Sequence, residues 1–376
     1  MTGERGNLGL KLADRYIGIP LVAILGFVLA MMRRASNASK CETDSRLAIG
    51  ILATGAIGDT ILASAIMHDI RDAFPDASLT IFTSKANAAV ASLITAINEV
   101  IVLPIMQPWR ALAQLRRRRF DWLIDLGPWP RINAVFAGLS GSRHTVGFKT
   151  RGQCRHMVYD YVVNHRNDRH QLENLRALVE PLKISPTQHP TIKTESAPPN
   201  ATPARPFVVF HAWPGGYKSH YKEWPAGQWQ DLGQRVQGLG WATVLTGGRD
   251  DIDKSAFLAG ELGNAGVQVT DLAGTCSLAQ TVALIQRADA VVSVNTGIMH
   301  MAAALGTPVV GLHGPTSSLR WGPVGSRAAS VDAPGSGCAY LDLGFEYPSN
   351  PPECMARIST DSVMAALRRI ARHPRC

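Results

Sequence analysis

Short apolar runs alternate along this chain with stretches whose apolar residues recur at helical spacing. Leu47 to Ala53 reads as a buried strand, followed by the glycine-bearing turn Thr54-Gly55-Ala56-Ile57-Gly58-Asp59. From Thr60 to Phe74 the apolar residues Ile61, Leu62, Ala65, Ile66 and Ile70 mark a helix that ends before Pro75. Leu79 to Thr83, Val100 to Leu103 and Trp122 to Leu126 are further strands, the last preceded by a basic helix around Arg116 to Arg119. This alternation predicts a doubly wound α/β domain, with ligands outside the carboxyl ends of its strands. Ser185 to Pro206 then holds six prolines and loses its hydrophobic periodicity after Ile192, which marks an inter-domain connection.

The pattern restarts beyond the linker. Phe207 to Phe210 is a strand, Gln228 to Leu239 a helix, Ala242 to Thr246 a strand, and Leu278 to Arg287 a helix. Val291 to Val294 runs into the polar turn Asn295-Thr296-Gly297 and a helix containing Met299 and His300. That helix stops at Gly306, and Pro308 opens a strand from Val309 to Leu312 that leads to Gly314-Pro315-Thr316. Strand, turn, helix and strand make a βαβ unit, whose turn aims backbone N–H groups and the positive helix end at one point. A phosphate fits there. The loop from His211 to Pro225, rich in glycine, aromatics and cations, has the composition of a cradle for phosphate and a base. Ser359 to Arg372 closes the chain as a basic helix.

One segment breaks the pattern. Tyr16 to Met32 is 17 residues without a charge, flanked by Lys11 and Arg15 before and Arg33-Arg34 after. As a helix it is about 26 Å long, marginal against a hydrocarbon core of roughly 30 Å. Three basic residues lie on each side (Arg5, Lys11, Arg15; Arg33, Arg34, Lys40), so charge does not orient it. The expectation is a membrane anchor outside the globular part, with both ends at the cytoplasmic face of the inner membrane. A core helix of the fold is the alternative.

Composition narrows the chemistry. At 376 residues the chain is long enough for two domains. Its formal charge of +9 implies an acidic partner, either nucleotide phosphate or anionic lipid. No helix-turn-helix, RNP or zinc-finger pattern supports nucleic acid. Cys41, Cys154, Cys276, Cys338, Cys354 and Cys376 are scattered without a CxxC pair. That argues against zinc and against a disulfide framework, and suits a reducing compartment. The turn at Gly55 lacks the GxGxxG spacing of a dinucleotide fingerprint. Asp59, at the start of the first helix, is either a capping carboxylate or a proton acceptor held ionised by the helix end. His300 either packs its helix or faces the phosphate.

Four motifs in order turn the pattern into a resemblance. These are G-A-I-G-D-T-I-L (55–62), K-E-W-P (222–225), V-S-V-N-T-G-I-M-H (292–300 with Val291 before it) and G-P-T…R-W-G-P (314–323). Together they resemble glycosyltransferase family 9, which includes the ADP-heptose:lipopolysaccharide heptosyltransferases, over roughly residues 46 to 370. The resemblance implies a GT-B fold, two Rossmann-like α/β domains facing a central cleft, with the apolar N-terminal helix added. Its domains would be 46–190 for the acceptor and 207–358 for the nucleotide-sugar donor, joined by 191–206, with 1–45 as anchor. The helix of 359–376 would pack back on the first domain. The family's general base falls on Asp59, beside Gly55 and Gly58, and its diphosphate-binding lysine on Lys222. Its donor turn falls on Asn295-Thr296-Gly297, with Asn295 where an aspartate is usual; His300, Gly314, Pro315 and Thr316 complete the donor side.

The implied reaction is an inverting, metal-independent transfer of a sugar, heptose from ADP-heptose, to lipopolysaccharide or another lipid-linked glycan. No cofactor is implied, and no DxD-type carboxylate cluster lies near the predicted phosphate site. Arg116 to Arg119 would face anionic lipid, or simply form a solvated helix face. Two alternatives stay open: a different nucleotide-sugar donor, or a non-catalytic membrane-bound nucleotide-sugar binder.

Overall fold

The structure, a computed structural model, describes residues 16, 18–35, 46–344 and 346–371. The chain divides into two compact units, one ending at Gln188 and the other beginning at His189.

The first unit runs α1 (Gly18–Ala35), β1 (Ala48–Ala53), α2 (Ile57–Ala73), β2 (Ser78–Thr83), α3 (Ala88–Ala91), β3 (Glu99–Val102) and α4 (Pro108–Arg116). It continues through β4 (Trp122–Asp125), α5 (Arg131–Leu139), β5 (His144–Lys149), β6 (Tyr161–Asn164) and α6 (Gln171–Ala177). Its six strands are all parallel in the order β3-β2-β1-β4-β5-β6. Helices on both faces explain why β1 is a nearly unbroken apolar run, buried at five of its six positions.

The second unit repeats the plan with β7 (Phe207–His211), α7 (Ala226–Gln237), β8 (Ala242–Leu245), α8 (Ile252–Asn264), β9 (Val269–Asp271) and α9 (Leu278–Arg287). Then come β10 (Ala290–Val294), α10 (Gly297–Ala304), β11 (Val309–His313), α11 (Ser318–Trp321), β12 (Ala328–Asp332) and α12 (Thr360–Ala371). The order β12-β11-β10-β7-β8-β9 is the same topology. α9 begins where the periodicity places it because Ser277 and Gln280 form a reciprocal capping box. α10 ends because Gly306 takes φ of +70°, a left-handed conformation that suits glycine.

Three expectations need correction. The apolar N-terminal segment is not outside the globular part: α1 buries Val22 in the first unit's core and packs on α5 and the turn Arg155–Val158. A Cβ on Gly26 would come 2.6 Å from Met157 Cβ, so the glycine is what lets the helix approach. Among the described residues no helix is long and apolar enough to cross a membrane. Of the basic residues in the charge comparison, Arg5, Lys11, Arg15 and Lys40 lie outside the described residues.

The basic run is not a helix of its own, since α4 ends at Arg116 and Arg119 sits in a turn with φ of +46°. A disulfide joins Cys338 and Cys354, whose Cα atoms are 5.8 Å apart; a loop returning over a separation of 16 positions brings together a pair that linear spacing does not advertise. Cys41 and Cys376 lie outside the described residues. α12 buries Val363, Met364, Leu367 and Ile370 in the second unit's core, against β11, β12 and α7.

Candidate functional site

Each sheet reverses its strand order once, between β1 and β4 in the first unit and between β7 and β10 in the second. Loops leaving the carboxyl ends of such a strand pair diverge and open a crevice, which is where doubly wound folds bind ligands. The residues singled out in the sequence gather at these two places.

In the first unit β1 feeds the turn Thr54–Ala56, and α2 follows with Asp59 in its first turn. Ala56 holds the N-cap position, so Asp59 is not the capping residue; it sits half-buried where the helix end favours a carboxylate. Gly55 lies against it: a Cβ there would stand 3.4 Å from Asp59 Oδ2, in ordinary contact. Gly58 lies in the same half-buried turn.

Beneath this turn runs a buried network that sequence reasoning missed. Leu52 of β1 pairs with Asp125 of β4, which sets the Thr54 turn beside that carboxylate. Thr54 and Asn133 exchange hydrogen bonds at 3.0 and 3.1 Å, and Asn133 Nδ2 donates to Asp125 Oδ1 at 3.3 Å. Tyr159 donates to Asp125 Oδ2 at 2.6 Å, and Arg155 pairs with the same oxygen and donates to Tyr159 Oη at 2.9 Å. The side chains of Arg155 and Asp125 have no solvent exposure. Burial works against the guanidinium's charge, but Tyr159 and Asp125 outweigh it and hold the Arg155 pKa above its ordinary value. Burial drives the Tyr159 phenol well above its usual range. Only spatial neighbours define this cluster; no spacing in the chain joins residues 54, 125, 133, 155 and 159.

In the second unit three loops leave the carboxyl ends of adjacent strands. After β10, Asn295 and Thr296 form the turn, and Thr296 caps α10 by accepting from Ile298 N at 3.2 Å. Asn295, Thr296 and Gly297 are half-buried, whereas His300, one turn further on, is buried within the unit. After β7, the loop returns to α7 through Lys222-Glu223-Trp224-Pro225. Trp224 is the loop's anchor: it is buried, meets Trp229 edge-on at 4.9 Å, and donates its indole N–H to Ile358 O at 3.0 Å. Two residues earlier, Lys222 Nζ donates to Gly215 O at 2.6 Å across the loop. Desolvation lowers the Lys222 pKa to about 8. His211, at the end of β7 beside Ser293 of β10, bonds Thr246 Oγ1 at 3.0 Å; burial lowers its pKa to about 4, so it is neutral at physiological pH.

After β11, Gly314-Pro315-Thr316 is buried and serves as a platform. Ala339 N donates to Gly314 O at 2.9 Å and Leu341 N to Pro315 O at 2.8 Å, laying a strap of chain over it. Arg320 Nε reaches Asp342 Oδ1 at 2.9 Å and Trp321 Nε1 reaches Asp342 O at 3.0 Å, so R-W-G-P holds the same strap. The strap carries Tyr340 and Tyr347; Tyr347 meets Tyr217 and Tyr221 of the β7 loop at ring distances of 5.9 and 5.8 Å, and Tyr340 at 5.9 Å. Lys218 Nζ lies 5.7 Å from the centres of both Tyr217 and Tyr347. The glycine-aromatic composition of 211–225 signalled half of this cluster; the strap half had no signal. Among the described residues no group of three or more His, Cys, Asp or Glu side chains is arranged to hold a metal.

Each unit thus places residues with chemical capability at its own switch point: a half-buried carboxylate in the first, and a capped helix end and a desolvated lysine on loops of the second. Residues 109–339, more than half of the chain, match the model of glycosyltransferase family 9 (heptosyltransferase).

The chain belongs to glycosyltransferase family 9. This glycosyltransferase is 24% identical over 306 residues to lipopolysaccharide heptosyltransferase 2 of Salmonella typhimurium, covering 73% of its own length and 85% of the relative's. Its fold is similar to that of E. coli ADP-heptose LPS heptosyltransferase II, with a TM-score of 0.69 at 21% identity over 86% of this chain and 98% of that one. E. coli heptosyltransferase WaaC, solved with ADP, gives the same TM-score of 0.69 at 20% identity, covering 86% and 99%. Two parallel Rossmann-like units are thus the fold this chain shares with those enzymes.

Proposed function

We propose that this glycosyltransferase is an inverting heptosyltransferase of lipopolysaccharide core assembly, moving heptose from ADP-heptose to a hydroxyl of a lipid-linked acceptor. What supports the reading is family membership together with the Thr296-capped start of α10 and the desolvated Lys222 on loops that follow the adjacent strands β10 and β7, and the Asp59 carboxylate after β1. The acceptor oxygen forms a bond to the anomeric carbon from the face opposite the diphosphate, and its proton passes to Asp59. The bond from that carbon to the diphosphate oxygen breaks, and ADP leaves with the electron pair. Lys222 and the N–H groups opening α10 stabilise the charge that builds on the departing phosphate. That cationic surrounding is the basis for proposing transfer without a divalent metal, which predicts undiminished turnover in excess chelator.

Lipid-linked acceptors place the reaction at the cytoplasmic face of the inner membrane. Asn295, where relatives of the family carry an aspartate, favours one second reading: the same reaction with another nucleotide sugar. Competition calorimetry with ADP-heptose, UDP-sugars and GDP-sugars separates the two. Selective binding of ADP-heptose, weakened by Lys222→Ala, supports the first reading, and preference for a UDP- or GDP-sugar replaces the donor. NMR of the product's anomeric configuration tests inversion; retention would overturn the single-displacement step.

A further inference from the structure

The outward face of α1 is apolar and uncovered. Leu21, Ile24, Phe27, Val28, Met31 and Met32 are 45–65% exposed, and they recur every three or four residues along one side of the helix. The opposite side carries Val22, Gly26 and Leu29 into the first unit. Six large side chains at that exposure leave roughly 600 Å² of apolar surface, at the upper end of what a soluble monomer presents. No charge interrupts the sequence from Tyr16 to Met32.

What surrounds this face is basic and aromatic. Residues of α1, α4 and α5 share one core cluster with Leu52, Phe82 and Leu123, so the three helices lie on the same side of the first sheet. α4 is tied to α5 by Arg116 Nε donating to Leu139 O at 2.7 Å. α4 exposes Trp109, which is 69% accessible, Arg110 and Arg116, and the segment just after it exposes Arg117 and Arg119. An open cavity of about 490 Å³ lies between the segments that follow α4 and α5, lined by Arg116, Arg119 and Arg143 with Phe120, Ser140 and Asp121. Arginines, an interfacial tryptophan and an apolar helix face on one layer match the chemistry of a bilayer surface bearing negative headgroups.

We infer that α1 lies in the plane of an anionic membrane, its outward face sunk among the acyl chains, with the α4 arginines and the basic cavity on lipid phosphates. The helix is held to the unit by close contacts: a Cβ on Gly138 would come 3.0 Å from Leu29 Cδ1, and one on Gly26 would strike Met157. A helix so docked enters a bilayer only as far as its free face. At 18 residues it measures about 27 Å, short of a full hydrocarbon core. The inference gives the proposed enzyme its route to a lipid-linked acceptor, but its test contains neither donor nor acceptor and is decided separately from the reaction.

The test is co-sedimentation of the full chain with vesicles of phosphatidylcholine alone and of phosphatidylcholine with 30% phosphatidylglycerol. Binding at least about tenfold tighter to the anionic vesicles, and reversed by dilution, is expected. Ile24→Glu with Phe27→Glu should lower that affinity about tenfold or more while thermal unfolding stays unchanged, because both side chains point away from the core. Arg110→Gln, Arg117→Gln and Arg119→Gln together should reduce anionic binding to the neutral level and flatten its salt dependence. Three results would overturn the inference: glutamate variants that sediment like wild type, binding that survives dilution as a spanning helix would, or a wild-type dimer that the same glutamates dissociate.

Discussion

Lys222 is held by its loop before any donor arrives, and that makes its proton a reporter. With a pKa lowered to about 8 by desolvation, it is charged below that pH and neutral above it. A diphosphate favours the charged form, so donor affinity should fall as pH rises through 8, and binding near pH 8 should take up a proton. Calorimetry in two buffers of different ionisation enthalpy measures that uptake; identical heats would remove Lys222 from the phosphate. Asp59→Asn keeps the side chain's shape but not its basicity, so donor binding should persist while turnover drops on the order of 10²–10⁴-fold. Asp125 has a different job. Asp125→Asn leaves the buried Arg155 guanidinium uncompensated and should destabilise the first unit by about 3 kcal/mol or more in urea unfolding. An unchanged midpoint would mean that Tyr159 alone satisfies the arginine.

At the scale of elements, the strands and helices that build the two switch points were legible because their signals are local. The apolar run of β10, the threonine that caps α10 and the glycine that ends it all lie within 17 residues, from Ala290 to Gly306. β6 was not legible: it is an edge strand with no buried position, so no apolar alternation marks it. The docking of α1 was hidden for the opposite reason, since a helix apolar all round reads the same whether its surroundings are lipid or protein. The strap was unreadable because its contacts join Gly314, Asp342 and Cys354 through a loop without periodicity. Opening its disulfide, by reductant or by Cys338→Ser with Cys354→Ser, should cost the second unit up to about 3 kcal/mol, as a cross-link closing a loop of this length implies. Urea unfolding with and without reductant measures it. Coincident curves would show that the platform and the Arg320–Asp342 pair hold the strap without help.

For the whole molecule, one sheet topology occurs twice. Family membership makes the chain a glycosyltransferase, and in the proposed reaction the first unit supplies the carboxylate and the second the phosphate turn and the lysine. The most direct measurement is ADP release from ADP-heptose with a heptose-free lipopolysaccharide acceptor, for wild type beside Asp59→Asn and Lys222→Ala. Wild type should release ADP together with heptosylated acceptor. Asp59→Asn should bind donor normally but turn over at least about 100-fold more slowly, and Lys222→Ala should lose donor affinity. Wild-type turnover in Asp59→Asn, or failure of the wild-type chain to bind ADP-heptose at all, would contradict the account.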